Sequence, residues 1–209
     1  MSLEKKGKFL WIMDGNLLLI KRGGHKMTES LTDYIDAELK DVLPNFKWKL
    51  IKDTKKNLIE LYITFRVDTD EDIQVQDTLG QNNDPGYVQF EDVVCFYDPA
   101  YSHVKPQNYL TAIAFDEHVG IEKGYVDAFL RQLNLATKQG MIDLKEFLLD
   151  DYAGEFELKW NERNLEGFIK TMKDTNRYNE EKLTMMLDDE ESLIEQLTKG
   201  EDNDGVERV

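Results

Sequence analysis

The sequence predicts an α+β domain: an antiparallel sheet of about five strands, helices packed mainly on one face, and an acidic helical C-terminal extension. Three observations carry that reading. Apolar and polar residues alternate in several short runs, the period of a half-buried strand. Other stretches repeat apolar residues at three- and four-residue spacing, as amphipathic helices do. The strand runs succeed one another without helix-sized crossovers, which favours antiparallel pairing. With 209 residues, 41% of them hydrophobic and 11% aromatic, the chain has the apolar area to offset the entropy of ordering it.

Residues 1–26 are opposite in sign to the rest of the chain. Lys5, Lys6, Lys8, Lys21, Arg22 and Lys26 stand against Glu4 and Asp14, a net +4, so residues 27–209 carry −20 of the total −16. Arg22-Gly23-Gly24, just before Met27, can be encoded by the purine run of a ribosome-binding site. Residues 1–26 are therefore expected to be a non-native leader, with Met27 as the natural start; the nucleotide sequence at codons 22 to 24 decides this. The same residues also have the chemistry of a hairpin, Phe9 to Met13 and Leu17 to Ile20 around Asp14-Gly15-Asn16.

The domain proper is expected over 27–178. Thr28 or Ser30 caps a helix marked by Leu31, Tyr34, Ile35, Leu39 and Val42, which ends before Pro44. Phe46, Trp48 and Leu50 alternate with Lys47 and Lys49 as a first strand, and Ile59, Leu61, Ile63, Phe65 and Val67 mark the second. The polar run Asp68 to Gly86, with Gly80, Asn82-Asn83 and Asp84-Pro85-Gly86, reads as the longest loop. Val88 to Tyr97 is the third strand, with Asp92 the polar exception on its apolar face, and Tyr109 to Phe115 is the fourth. A helix from about Glu122 carries Val126, Phe129, Leu130 and Leu133, with Gly140 at its C-terminal cap. Asp143 and Glu146 then read as a capping box opening a separate short helix, Leu144 to Leu149. Phe156, Leu158 and Trp160 mark a fifth strand, and Leu165, Phe168, Ile169 and Met172 a further helix. The extension, 179–209, holds eleven acids against Lys182, Lys199 and Arg208, a net −8. Leu183, Met186, Leu187, Ile194 and Leu197 predict a helix to Lys199, with a disordered tail after it.

Composition excludes several functions. The negative charge repels phosphate backbones and anionic lipid, so no nucleic-acid or membrane partner is expected. No apolar run is long enough to span a bilayer, and Asp14-Gly15-Asn16 interrupts the nearest candidate for a signal peptide. The single cysteine, Cys95, cannot form an internal disulfide, which fits a reducing, cytoplasmic setting.

Chemistry-bearing residues are few in pattern. Asp68, Asp70 and Asp72 alternate as calcium ligands do, which makes them candidate metal ligands. An EF-hand counted from Asp68 would need Gly at 73 and Glu at 79, where the chain has Ile73 and Leu79. His103 and His118 lack a second ligand at zinc spacing. Cys95 with His103 as base is conceivable, although burial among acids disfavours the thiolate. The chain carries no nucleophile elbow, phosphate-binding loop or dinucleotide fingerprint. No catalytic residue and no cofactor are therefore assigned. The aromatics Phe90, Phe96, Tyr97, Tyr101 and Tyr109 fit a core better than a ligand groove.

The strings Phe90-Glu91-Asp92, Phe96-Tyr97-Asp98-Pro99, Gly140-Met-Ile-Asp-Leu-Lys-Glu-Phe-Leu148 and Phe156-Glu-Leu-Lys-Trp160 resemble an uncharacterised family of Firmicutes proteins, a domain of unknown function, over residues 28 to about 162. The resemblance implies a bacterial cytoplasmic protein and assigns no site residue.

The leading expectation is a non-enzymatic protein-binding or adaptor module that offers an acidic surface, and its Met185-Met186 helix, to a protein partner. Two alternatives stay open. One is a carboxylate- or divalent-metal-dependent enzyme centred on Asp68 to Asp72 or on Glu91 and Asp92. The other is a nucleic-acid mimic that binds a basic protein.

Overall fold

The computed structural model describes residues 29–77, 80–150 and 154–185, and the backbone of 12–13 and 16–17. Ile12–Met13 (β1) and Asn16–Leu17 (β2) pair antiparallel, Ile12 opposite Leu17, as the hairpin reading expects. Glu29–Ser30 (β3) leads directly into Leu31–Val42 (α1). Leu31, Ile35 and Leu39 are fully buried, so the predicted apolar face is the packed one. Ser30 holds the N-cap position, but its hydroxyl bonds Thr32 Oγ1 at 2.8 Å instead of a helix N–H. Thr28 lies outside the described residues.

Lys47–Asp53 (β4), Leu58–Asp68 (β5), Tyr87–Tyr97 (β6) and Thr111–Ala114 (β7) form a sheet in that order. Ile59, Leu61, Ile63, Phe65 and Val67 of β5 all face the core. The loop 68–86, of which 78 and 79 lie outside the described residues, folds back through a Gln76–Asn82 bridge. Asn83 ties it down, accepting from the Val75 N–H at 2.9 Å and donating to the Ile73 and Tyr87 carbonyls.

Three expectations about the elements between β6 and residue 160 are corrected. First, β7 runs parallel to β6, Val94 opposite Thr111 and Tyr97 opposite Ala114. The connection holds thirteen residues and only a 3-10 turn, Pro106–Asn108; a parallel return needs about a dozen residues, not necessarily a helix. Second, after Ile121–Glu122 (β8), one unbroken helix, Lys123–Leu148 (α2), replaces the predicted pair. Gly140 sits inside it because Leu158 presses there: a Cβ would lie 2.1 Å from Leu158 Cδ1. Third, 156–160 makes no ladder. Its alternation is nonetheless real. Leu158 is buried, Phe156 meets Phe90 at 5.1 Å and Phe147 at 5.7 Å between ring centres, and Trp160 meets Phe129 at 5.6 Å. The segment is an extended cover over the core, not a fifth strand.

Glu162–Asp174 (α3) forms where predicted, with Asn161 accepting from the Asn164 N–H, and packs on α2. The chain then returns as Lys182–Thr184 (β9), not as the predicted helix. β9 lies between β3 and β8, parallel to the first and antiparallel to the second. Since β3 opens into α1 and β8 into α2, β9 staples together the starts of both helices. Leu183 and Met185 are fully buried there. Lys123 Nζ reinforces the staple, reaching Glu29 at 2.8 Å and Glu181 at 3.0 Å. The remainder of the predicted C-terminal helix, from Met186, lies outside the described residues.

α1 and α2 cover the sheet face bearing Ile59, Leu61 and Ile63. Phe96 meets Phe129 of α2 at 5.2 Å, and the Trp48 indole donates to Asp36 of α1 at 3.1 Å. Among the described residues no helix is long and apolar enough to cross a membrane.

Candidate functional site

Alternation along β6 decides the first candidate. Glu91 points to the sheet's outer face, where it accepts from Thr64 Oγ1 at 2.9 Å, whereas Asp92 pairs across from buried Ile63 on the inner face. Neighbouring residues on a strand point in opposite directions, so these two carboxylates cannot act on one substrate atom. Burial pushes the Asp92 carboxyl above its usual range, helped by nearby Glu157 and opposed by the Val93 and Leu110 N–H groups.

The Asp68–Asp72 run is also dispersed. Asp68, Asp70 and Asp72 are exposed; Asp68 pairs with Arg66 Nε at 3.2 Å, and Asp70 contributes its backbone carbonyl to the Ile73 N–H. Among the described residues no three His, Cys, Asp or Glu side chains converge as metal ligands would.

Cys95 is fully buried on the outer face of the sheet, and its hydrogen-bond partner is Tyr109, not His103, which is exposed. Glu60, opposite Cys95 in the ladder, accepts from Tyr62 Oη at 2.7 Å and Tyr109 Oη at 2.9 Å. Both carboxylate oxygens are thereby engaged. Burial, then the Glu60 charge, pushes the thiol up to about 11, and the Glu60 hydrogen bond pushes Tyr62 up to about 12. A thiol held protonated in this way is a poor nucleophile. Phe90 and Phe96 belong to the core, as expected. Tyr101 is exposed beside His118, its hydroxyl 3.3 Å from Nε2.

A cleft of about 340 Å³ opens between β7 and the β8–β9 pair. Three of its polar side chains, Glu122, Tyr178 and Lys182, bond one another. Glu122 accepts from Tyr178 Oη at 2.6 Å and Lys182 Nζ at 3.1 Å, and both bonds hold its carboxyl below the usual range. Met185, expected on an exposed partner helix, is buried instead, its N–H bonded to Glu117 Oε2 at 2.7 Å. Met186 is not among the described residues.

The surface of α2 is different. One side of the helix packs on the sheet through Val126, Phe129, Leu133 and Leu144, and α3 takes another flank. The remaining side exposes Arg131, Leu135, Lys138, Ile142, Lys145 and Leu149. These positions recur at alternating four- and three-residue spacing, so at 3.6 residues per turn they share an arc of about 80° and a length of about 27 Å. Leu135 is 50% exposed, Ile142 51% and Leu149 79%, and they form an apolar ridge. Arg131, Lys138 and Lys145 form a cationic ridge beside it, and none forms an ion pair with a described residue. Cations that pair with no described carboxylate are notable on a chain of net charge −16. Reading the helix as two pieces broken at Gly140 conceals this stripe, because its residues fall on both sides of the break.

The chain is similar to proteins whose function is unknown. No curated protein matches the chain. A crystal structure described as that of a conserved protein of unknown function from Enterococcus faecalis is similar, with a TM-score of 0.64 and 27% identity, over 73% of this chain and 94% of that one. A family model described as "Protein of unknown function (DUF3013)" matches residues 26–186, beyond the resemblance read from 28 to about 162 and up to the end of the β9 staple. The chain therefore belongs to the uncharacterised DUF3013 family.

Proposed function

We propose that this chain is a non-enzymatic protein-binding module whose recognition face is the solvent side of α2, and that the partner presents an acidic, apolar segment. The observation that supports this is the pairing of an exposed apolar ridge with three cations at matching heptad intervals. Apolar contact supplies the favourable area, and the cations select acidic partners and raise the encounter rate. An amphipathic helix laid along the ridge would bury Leu135, Ile142 and Leu149 as anchors. Leu135→Asp/Ile142→Asp tests the reading, because both side chains are already half in water and the fold should tolerate the change. Affinity capture from the source cell should lose partners with the double variant at an unchanged melting temperature, and at about 0.5 M salt with the parent chain. Identical captured sets from both proteins would contradict it.

A further inference from the structure

β7 ends the four-stranded sheet and β8 ends the three-stranded one, so among the described residues each has one edge whose N–H and C=O groups pair with no other strand. Both strands line the same cleft of about 340 Å³, Ala112 to Phe115 on one side and Gly120 to Glu122 on the other. Successive strand residues point to opposite faces. What consecutive residues share is therefore the backbone edge, and the cleft runs along it.

Charge distinguishes this edge from the opposite end of the sheet. β4, the other terminal strand, carries Lys47, Lys49 and Lys52 among its seven residues, a pattern that keeps an exposed edge from pairing. β7, Thr111-Ala112-Ile113-Ala114, has no charged residue. Ala112 lies opposite Cys95 on the outer face and Ala114 shares that face, so both leave room for the side chains of an added strand. Ile113, opposite Phe96, is buried on the inner face. A residue added level with Ile113 points the same way, to the side covered by α2, whose Tyr125 lines the cleft.

We propose that β7 takes up an extended, uncharged segment of a partner protein as an added strand, with the β8 edge as the far wall of the cleft. Main-chain hydrogen bonds to β7 supply the affinity, and an apolar residue level with Ile113 supplies the selection. The site lies at the start of α2, apart from the ridge that begins at Arg131, and stands independently of it.

The test uses the intact ¹⁵N-labelled chain and an alternating valine–threonine hexapeptide. Amide shifts are expected at Thr111 to Phe115 and Gly120 to Glu122 and not along β4, and the Leu135→Asp/Ile142→Asp chain should bind the peptide equally well. Two further peptides, N-methylated at alternate residues, each lose the N–H donors of one edge only. One should bind at least about tenfold more weakly than the other, about the effect of one or two hydrogen bonds. Ala112→Lys/Ala114→Lys, which gives β7 the charge spacing of Lys47 and Lys49, should weaken binding of the unmethylated peptide by a similar factor while the amide spectrum stays that of the folded chain. No binding at millimolar peptide, shifts confined to other surfaces, or unchanged affinity of the lysine variant would overturn the proposal. Equal affinity of the two methylated peptides would overturn strand addition. A dimer of the intact chain that the two lysines dissociate would assign the edge to a second copy and overturn it too.

Discussion

Asp98 closes the fold around the β6–β7 connection. It is 3% exposed and accepts from the Ala100 N–H at 2.8 Å and the Glu117 N–H at 3.0 Å, while Glu117 in turn holds the Met185 N–H. Removing a buried charged acceptor strands two donors, so Asp98→Ala should cost about 3 kcal/mol in denaturant unfolding. Asp92 works the other way. Burial raises its pKa in the folded state, so the folded chain binds the proton more tightly than the unfolded one. Unfolding free energy then falls as pH rises through the interval between the two pKa values, and the penalty is fully present at neutral pH. Asp92→Asn is expected to raise the melting temperature at pH 7, with the gain shrinking as the pH drops into the ordinary carboxylate range. Cys95, the sole thiol, should react with a thiol reagent at least about a hundredfold more slowly in the native protein than in denaturant. The sequence already places Cys95 among Val93, Val94 and Phe96, the setting of a small apolar filler. It did not indicate Glu60, whose two tyrosine partners come from its own strand and from residue 109, a proximity that only the sheet register creates.

At the scale of elements, Gly140 separates two readings of one residue. As a cap it would end a helix, whereas as a close-approach point it lets Leu158 into the helix surface. Gly140→Ala is expected to destabilise by about 1 kcal/mol, the cost of overpacking exceeding the gain in helix propensity. Combined with Leu158→Ala it should cost less than the two single changes added together, a coupling that a cap would not show. Leu183→Ala, in the β9 staple, should cost about 3 kcal/mol because the side chain is fully buried between two strands. A chain ending at Met185 should keep its melting temperature, and one ending at 178 should lose it. Periodicity made α1, β4, β5, β6 and α3 legible, since each buries the stripe its own residues mark. It failed where partners are remote. β9 pairs with Glu29–Ser30, about 150 residues earlier, and Leu183 and Met185 satisfy a strand period as well as a helical one.

For the whole molecule, net charge is a poor guide to where recognition lies. The acidic total points to Asp68–Asp72 and to the C-terminal run, yet the exposed apolar surface with unpaired charge among the described residues is cationic and sits on α2. Its residue types are all visible in the sequence, but the stripe is defined by one continuous helix and by which of its sides the sheet and α3 leave open. Reversing its charge tests the claim most directly. At low salt the Arg131→Glu/Lys138→Glu/Lys145→Glu chain should lose, at an unchanged melting temperature, the partners that the parent chain captures from the source cell, and near about 0.5 M salt the two captured sets should converge. Identical captured sets before and after charge reversal at low salt would contradict it.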